Sequence, residues 1–168
     1  MQHWSIRCRA ILSSGGVTHR PQLGLTQNRS GCNDRRWSET YRALALRGAE
    51  IILLGYNTPC HHPEHPQLDG LSNFHNLLCM QAGAYQNGCW VVGVAKAGIE
   101  EGVSQIGQTS IIAPSGEVVA MASSIDNELV VHNCDLDQTK PYKETIFNFE
   151  ENRRIEHYGP ITGQTGVE

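Results

Sequence analysis

The pattern that indicates the fold starts at Gly31-Cys32-Asn33-Asp34-Arg35-Arg36-Trp37-Ser38-Glu39-Thr40. Apolar residues with helical spacing follow, so we predict a helix over 39–47, with Ser38 as its N-cap and Gly48 as its end. The apolar run at 50–54 lies between two glycines and predicts a buried strand. A helix that leads into a buried strand is typical of an α/β fold. Cys32 would then lie at the carboxyl end of a preceding strand, where α/β sheets bind ligands.

Hydrophobic periodicity assigns the rest of the chain to further strands and helices. The predicted elements are a polar loop over 57–70, a helix over 72–85 with Phe74, Leu77, Leu78, Gln81 and Tyr85 along one side, a stop at Asn87-Gly88, a strand over 89–95, a hairpin of 109–113 and 117–121, a strand over 129–135, and a helical stretch from 137 to about 149.

Cys32 is a candidate nucleophile. A thiol reacts as the thiolate, and nearby positive charge or a helix N-terminus lowers its pKa. Arg35 and Arg36 follow it closely, and guanidinium groups bind carboxylates with two parallel hydrogen bonds. A buried cysteine beside an Arg–Asp surface pair would produce the same residues, so the spacing alone leaves both interpretations open.

Several runs of the chain, in the same order, resemble one protein family. They are Cys32-Asn33-Asp34-Arg35-Arg36-Trp37, Gly48-Ala49-Glu50-Ile51-Ile52, Gly55-Tyr56-Asn57-Thr58-Pro59, the segment from Met80 to Gly88, Ala113-Pro114-Ser115-Gly116-Glu117, Ile146-Phe147-Asn148-Phe149 and His157-Tyr158-Gly159. Together they resemble the nitrilase-type carbon–nitrogen hydrolases, and most closely the N-carbamoyl-D-amino-acid amidohydrolases. The resemblance implies part of a nitrilase-like α-β-β-α sandwich, namely its C-terminal half.

The resemblance also implies a reaction. A cysteine attacks the ureido carbonyl, ammonia leaves, and water hydrolyses the carbamoyl-enzyme to carbon dioxide and a D-amino acid, which splits one hard step into two easier ones. The backbone N–H of Asn33 would help to hold the oxyanion. The implied site residues are Cys32 as nucleophile, Asn33, Arg35 and Arg36 around the substrate, with the last two binding its carboxylate, and Asn57 and Thr58 lining the pocket.

The catalytic triad of that family also needs a glutamate and a lysine, both placed before the cysteine. In this chain the first glutamate is Glu39 and the first lysine is Lys96. We therefore expect 1–31 to be an unrelated or disordered leader and 32–168 to be the C-terminal part of a carbon–nitrogen hydrolase domain. Glu64, Glu100, Glu101 or Glu117 with Lys96 could substitute in principle, but these positions are not triad members in the family.

Two functions remain open at this point. The first is an enzyme by descent, hydrolysing N-carbamoyl-D-amino acids through Cys32 but inactive as this chain alone. The alternative is a non-catalytic remnant of the fold that binds carboxylates or takes part in an interaction. By analogy with the family we expect homo-oligomers.

Composition excludes several partners. A net charge of −4 gives no electrostatic basis for nucleic-acid binding, and no apolar run is long enough for a membrane span. The six cysteines lack the spacing of a disulfide framework, so we expect reduced thiols and a cytoplasmic protein. No phosphate-binding glycine motif follows a strand, and we expect no cofactor. The run from Cys60 to His65 contains metal-ligand types, but its spacing argues against a metal site. The resemblance implies that this run is a solvated loop bordering the substrate pocket, without metal.

Overall fold

A computed structural model of the chain describes residues 5–11 and 31–167. The strand predicted before Cys32 and most of the predicted leader lie outside these residues.

The described residues form eight strands and five short or medium α-helices. The strands are β1 (Ser5–Ile11), β2 (Ile51–Tyr56), β3 (Trp90–Ala95), β4 (Ile99–Glu100), β5 (Val103–Ser104), β6 (Ser110–Ile112), β7 (Val118–Met121) and β8 (Leu129–Asp135). The α-helices are α1 (Gly31–Asp34), α2 (Ser38–Leu46), α3 (Ser72–Asn87), α4 (Phe149–Asn152) and α5 (Gly159–Gly163). Single 3-10 turns occupy Pro66–Leu71, Leu136–Thr139 and Ile155–His157, and a π-helical turn occupies Tyr142–Ile146.

The strands form two main sheets. One has the order β2-β3-β6-β7, in which β2 and β3 run parallel and the other neighbours antiparallel. The second pairs β1 with β8 antiparallel, and β4 and β5 form a small separate ribbon. Two successive strands that run parallel need a crossover, which the chain makes through α3. The predicted α/β class is confirmed.

Alternating side chains of the four-stranded sheet divide the core into two layers. Trp90 and Val92 of β3 pack with Val130 and Cys134 of β8, between the two sheets. Val91, the residue between them, faces the opposite way and packs against α2 and α3. The described residues therefore stack as helices, sheet and sheet, which corresponds to three successive layers of the sandwich that the resemblance implies.

The predicted strands and the two longer helices agree with the structure to within two residues. Gly48 and Gly88 both end helices in a left-handed conformation, at φ of 88° and 56°. At the first of these ends the N–H groups of Gly48 and Ala49 donate to carbonyl groups of the last turn of α2.

One local prediction about a helix end is wrong. Ser38 is not an N-cap, because the helix already begins there and its hydroxyl donates to Glu39. The helical stretch predicted from 137 to about 149 is present as far as Ile146, and it changes from a 3-10 turn to a π-helical turn across Lys140 and Pro141.

A second wrong prediction concerns the orientation of α3. Its buried face carries Asn76, Met80, Gly83, Ala84 and Asn87. Of the residues aligned along one side in the prediction, Phe74, Leu78 and Tyr85 are exposed. Hydrophobicity alone therefore indicates the wrong face of this helix.

Gly83 provides the space in which Tyr41 of α2 packs against α3. A Cβ at position 83 would lie 2.6 Å from the Cδ1 and Cε1 atoms of Tyr41, whose side chain is buried. Alanine normally favours a helix over glycine by about 1 kcal/mol. We nevertheless expect Gly83→Ala to lower the free energy of unfolding by about 1–3 kcal/mol, because the enclosed ring cannot move away.

Urea unfolding followed by circular dichroism measures this effect. Gly55→Ala is the matched control, since a Cβ there meets nothing within 4 Å. A Gly83→Ala protein as stable as the native chain would contradict the close packing of α2 on α3.

Within the described residues, no helix is both long enough and apolar enough to cross a membrane.

Candidate active site at the carboxyl edge of the sheet

The parallel strands β2 and β3 end at the same edge of the sheet, with Tyr56 opposite Ala95. Asn57 and Thr58 follow β2 directly, and Lys96 follows β3. The N–H of Lys96 donates to the carbonyl of Tyr56 at 2.8 Å, and the N–H of Ile106 donates to the carbonyl of Thr58 at 2.9 Å. Backbone hydrogen bonds therefore fix this edge, which is where an α/β sheet places its functional groups.

Cys32 and Asn33 belong to α1, which contacts β2. The chain turns sharply after α1, because the N–H of Arg36 donates to the carbonyl of Asn33 at 2.9 Å. We call residues 32–36 the nucleophile turn, after the predicted role of Cys32. Its backbone brings Cys32 to within about one helical turn of Arg35.

The side chain of Arg35 joins the nucleophile turn to the end of β2. Only 1% of its surface is exposed. Its Nη2 donates to Oγ1 of Thr58 at 2.8 Å, and its Nε donates to Oδ1 of Asn76 at 2.9 Å. Its guanidinium carbon lies 4.2 Å from the centre of the Tyr56 ring, a cation–π distance. The guanidinium of Arg35 is thus held by hydrogen bonds from Nε and Nη2 and by an aromatic ring on one face.

A wider polar network surrounds Arg35. Asn76 donates from Nδ2 to the hydroxyl of Tyr56 at 3.0 Å, and that hydroxyl donates to the carbonyl of Gln108 at 3.2 Å. The hydroxyl of Tyr41 donates to the carbonyl of Arg35 at 2.8 Å, and burial raises the pKa of Tyr41. Gln108 has a φ of 65°, an uncommon value for a residue with a side chain. Backbone strain of this kind occurs preferentially at functional sites.

Arg36 lies in a different environment. It is exposed, and its side chain lines a cavity of about 210 Å³ between α2 and α3. The lining is Arg36, Ser38, Tyr41, Leu78, Cys79, Ala82, Gly83, Gln86 and Asn87. Of the predicted site residues, the structure therefore joins Arg35 to Thr58, while Arg36 borders a cavity whose lining contains neither Asn57 nor Thr58. Asn57 is exposed at the carboxyl edge, immediately before Thr58.

The acidic and basic residues that could substitute for a triad are partly engaged with one another. Lys96 forms an ion pair with Glu100, four residues further along the chain. Glu64, Glu101 and Glu117 are exposed. In this geometry Lys96 and Glu100 neutralise each other at the edge of the sheet.

The loop from Cys60 to Ser72 is closed by hydrogen bonds of its own. Asp69 interacts with Nδ1 of His61 at 2.7 Å and accepts the N–H of His62 at 2.8 Å. The hydrogen bond with His61 is the largest cause that lowers the pKa of Asp69. Among the residues that the structure describes, no group of three or more histidine, cysteine, aspartate or glutamate side chains converges as metal ligands.

The sequence does not single out Asn76 and Gln108, which belong to the polar network around Arg35. Asn76 is 3% exposed. A signal for it exists in retrospect, because it is a polar residue at the helical spacing of Met80, Gly83 and Asn87. Gln108 has no such signal.

Comparisons with known proteins agree with this architecture. The family model described as carbon-nitrogen hydrolase matches residues 14–144. A probable nitrilase of Schizosaccharomyces pombe is 28% identical over 127 residues, which are 76% of this chain and 43% of that protein. An N-carbamoylputrescine amidase of Solanum tuberosum is 35% identical over 118 residues, which are 65% of this chain and 38% of that protein.

Solved structures show the same fold. A carbon-nitrogen hydrolase from Helicobacter pylori G27 superposes with a TM-score of 0.69 and 20% identity, covering 81% of this chain and 48% of that one. Nit3 of Saccharomyces cerevisiae, a member of branch 10 of the nitrilase superfamily, gives a TM-score of 0.56 at 18% identity, covering 75% and 42% of the two chains. The chain spans less than half the length of these relatives.

The family match begins inside the segment predicted to be a leader. Within that segment, β1 pairs with β8 along its whole length. The domain boundary at residue 31 stays a prediction. The match covers well over half of the sequence and includes the nucleophile turn, α3 and every strand from β2 to β8. The chain therefore belongs to the carbon-nitrogen hydrolase family.

Proposed function

We propose that the protein to which this chain belongs hydrolyses an N-carbamoyl-D-amino acid to the D-amino acid, ammonia and carbon dioxide. The observation that carries the proposal is the nucleophile turn itself. The sequence Cys32-Asn33-Asp34-Arg35-Arg36-Trp37 lies against the carboxyl end of β2 and is joined to it by the buried side chain of Arg35.

In the proposed reaction the Cys32 thiolate attacks the ureido carbonyl carbon and forms a C–S bond. The backbone N–H of Asn33 stabilises the oxyanion, and the C–N bond to the terminal amine breaks, releasing ammonia. Water then adds to the carbamoyl-thioester and the C–S bond breaks, which regenerates the thiol. The carbamate that forms loses carbon dioxide and leaves the free D-amino acid.

The two arginines receive different roles in this proposal. Arg36, exposed beside the cavity between α2 and α3, binds the substrate carboxylate. Arg35 donates to Thr58 and Asn76 and holds the nucleophile turn, and Asn57 borders the substrate from the adjoining edge. An N-carbamoylputrescine, the substrate named for several relatives, ends in an ammonium group. An arginine would repel that end and attract a carboxylate.

A second function, substrate binding without turnover, is supported by the composition of the residues that precede Cys32. Residues 1–31 contain no glutamate and no lysine, whereas the family mechanism needs both to move protons. We therefore propose that these 168 residues bind the substrate without turning it over. A carboxylate-binding remnant of the fold would behave in the same way.

Ammonia release and ligand binding test both proposals on the purified chain. The ligands are N-carbamoyl-D-phenylalanine, N-carbamoyl-D-alanine and N-carbamoylputrescine, and the control variant is Cys32→Ala. We expect the first two ligands to bind the native chain and Cys32→Ala with similar Kd values, and no ammonia to be released.

Turnover that depends on Cys32 would support the hydrolase and contradict the inactivity of this chain. Binding of N-carbamoylputrescine in place of the D-amino-acid derivatives would contradict the proposed substrate class. A folded chain that binds none of the three would contradict the carboxylate-binding function as well.

A further inference from the structure

The nucleophile turn carries a buried cation, Arg35, whose side chain donates to the neutral acceptors Asn76 and Thr58. A guanidinium removed from water must be hydrogen-bonded to be tolerated. Two acceptors of Arg35 come from separate elements, namely Thr58 after β2 and Asn76 on α3. The positions of these two acceptors fix the direction of the side chain and, with it, the backbone from which it projects.

Asn76 is the member of the pair that joins the helix layer to the turn. Its Oδ1 accepts from Nε of Arg35 at 2.9 Å, while its Nδ2 donates to the Tyr56 hydroxyl at 3.0 Å. The reversed amide would place an N–H₂ group against the Nε–H of Arg35, so the network permits only this orientation. Nδ2 also donates to Oε1 of Gln108 at 3.4 Å, so Asn76 cannot rotate without losing all three contacts.

The second contact of Asn76 positions the aromatic ring that stacks on the Arg35 guanidinium. Tyr56, which receives the hydrogen bond from Nδ2, is the ring over which the Arg35 guanidinium lies. The Tyr56 hydroxyl donates onward to Gln108, the residue with the left-handed backbone. The Asn76 amide thus contacts Arg35 directly through a hydrogen bond and also fixes the Tyr56 ring on which the guanidinium stacks.

From this geometry we propose that Asn76 is a positioning residue: acting through Arg35, it fixes the nucleophile turn, and hence Cys32, against the carboxyl end of β2. The inference rests on the proposed function, because it assigns the role of nucleophile to Cys32. In this role Asn76 acts through its contact with Arg35.

The pH dependence of Cys32 alkylation by iodoacetamide tests the proposal, followed peptide by peptide by mass spectrometry on the full chain. The charged side chains on the turn and at the sheet edge are Asp34, Arg35, Arg36, Lys96 and Glu100. Positive charge near a thiol lowers its pKa below the value of about 8.5 for an ordinary thiol, and we expect this of Cys32 because Arg35 and Arg36 follow it on the same turn. If the turn is released, the midpoint should move toward that value.

Asn76→Leu removes all three contacts of the amide at similar size and without a change of charge. We expect the Cys32 midpoint to rise by about one pH unit, which slows alkylation at neutral pH about tenfold. Thr58→Val removes the other acceptor of Arg35, and we expect a smaller rise. Asn73→Leu, on the same helix but at an exposed position, is the matched control and should behave as the native chain.

Cys89 and Cys134, both 0% exposed, report general unfolding in the same samples. A native-like profile in Asn76→Leu, or an equal shift in Asn73→Leu, would overturn the proposal. If Asn76→Leu exposes Cys89 and Cys134, Thr58→Val decides, and a native-like profile there overturns it. A shifted midpoint in a chain that binds no N-carbamoyl amino acid would refute the proposed substrate and leave the positioning role standing.

Discussion

Arg35→Met is expected to lower the free energy of unfolding by about 2–4 kcal/mol, and Arg36→Met to change it by less than about 0.5 kcal/mol. Methionine keeps the length of the arginine stem but cannot donate a hydrogen bond. In Arg35→Met the acceptors on Asn76 and Thr58 stay buried without the donor that the structure provides. The exposed Arg36 leaves no buried partner behind.

Urea unfolding at neutral pH, followed by circular dichroism, compares the two variants directly. Equal losses of stability would contradict the different environments of the two side chains. The two sites are adjacent in sequence and share charge, size and helix propensity, so the difference isolates the effect of burial.

Arg35→Met should have the larger effect on stability, whereas Arg36→Met should have the larger effect on ligand binding. We expect Arg36→Met to weaken binding of N-carbamoyl-D-phenylalanine about tenfold or more, because a charge-assisted contact to the carboxylate is lost. The amide of that ligand, which has no carboxylate, is the matched ligand control and should bind both proteins alike. If Arg36→Met binds the acid as the native chain does, the assignment of the carboxylate to Arg36 is wrong.

Trp90→Ala is expected to have the largest effect on stability, about 3–5 kcal/mol. Trp90 is 1% exposed and lies between the two sheets, packed with Val92, Ile111 and Val130. Its Nε1 also donates to the carbonyl of Asp135 in β8 at 2.9 Å. The substitution would leave a cavity and an unpaired carbonyl where the sheets meet. Because small domains are stable by only about 5–15 kcal/mol, this variant would lose a large part of its stability.

Trp37→Ala is the control of the same residue type, since the Trp37 side chain is 55% exposed. Its loss should cost less than about 0.5 kcal/mol. Circular dichroism is the suitable probe, because fluorescence would report the removal of the tryptophan itself. Similar losses in the two variants would contradict the packing of β8 against β3.

Local patterns in the sequence were sufficient to predict the strands and the ends of the longer helices. Apolar runs of strand length predicted β2, β3 and β8, and glycines at 48 and 88 predicted helix ends that the structure contains. These features depend on neighbours a few residues apart, which the sequence displays directly. Several motifs in order, Cys32–Trp37 among them, likewise predicted the carbon-nitrogen hydrolase family, which the comparisons confirm.

Which side chain of a motif is buried depends on contacts far apart in the chain. Arg35 and Arg36 are equivalent as a motif, yet the tight turn after α1 directs one toward Asn76, 41 residues away, and the other to a cavity between helices. The buried face of α3 is likewise determined by the close packing of the Tyr41 ring against Gly83 and not by hydrophobicity. Local spacing carries no information on such partners, because burial is decided by the shape and the unsatisfied polar groups of the surface that each element meets.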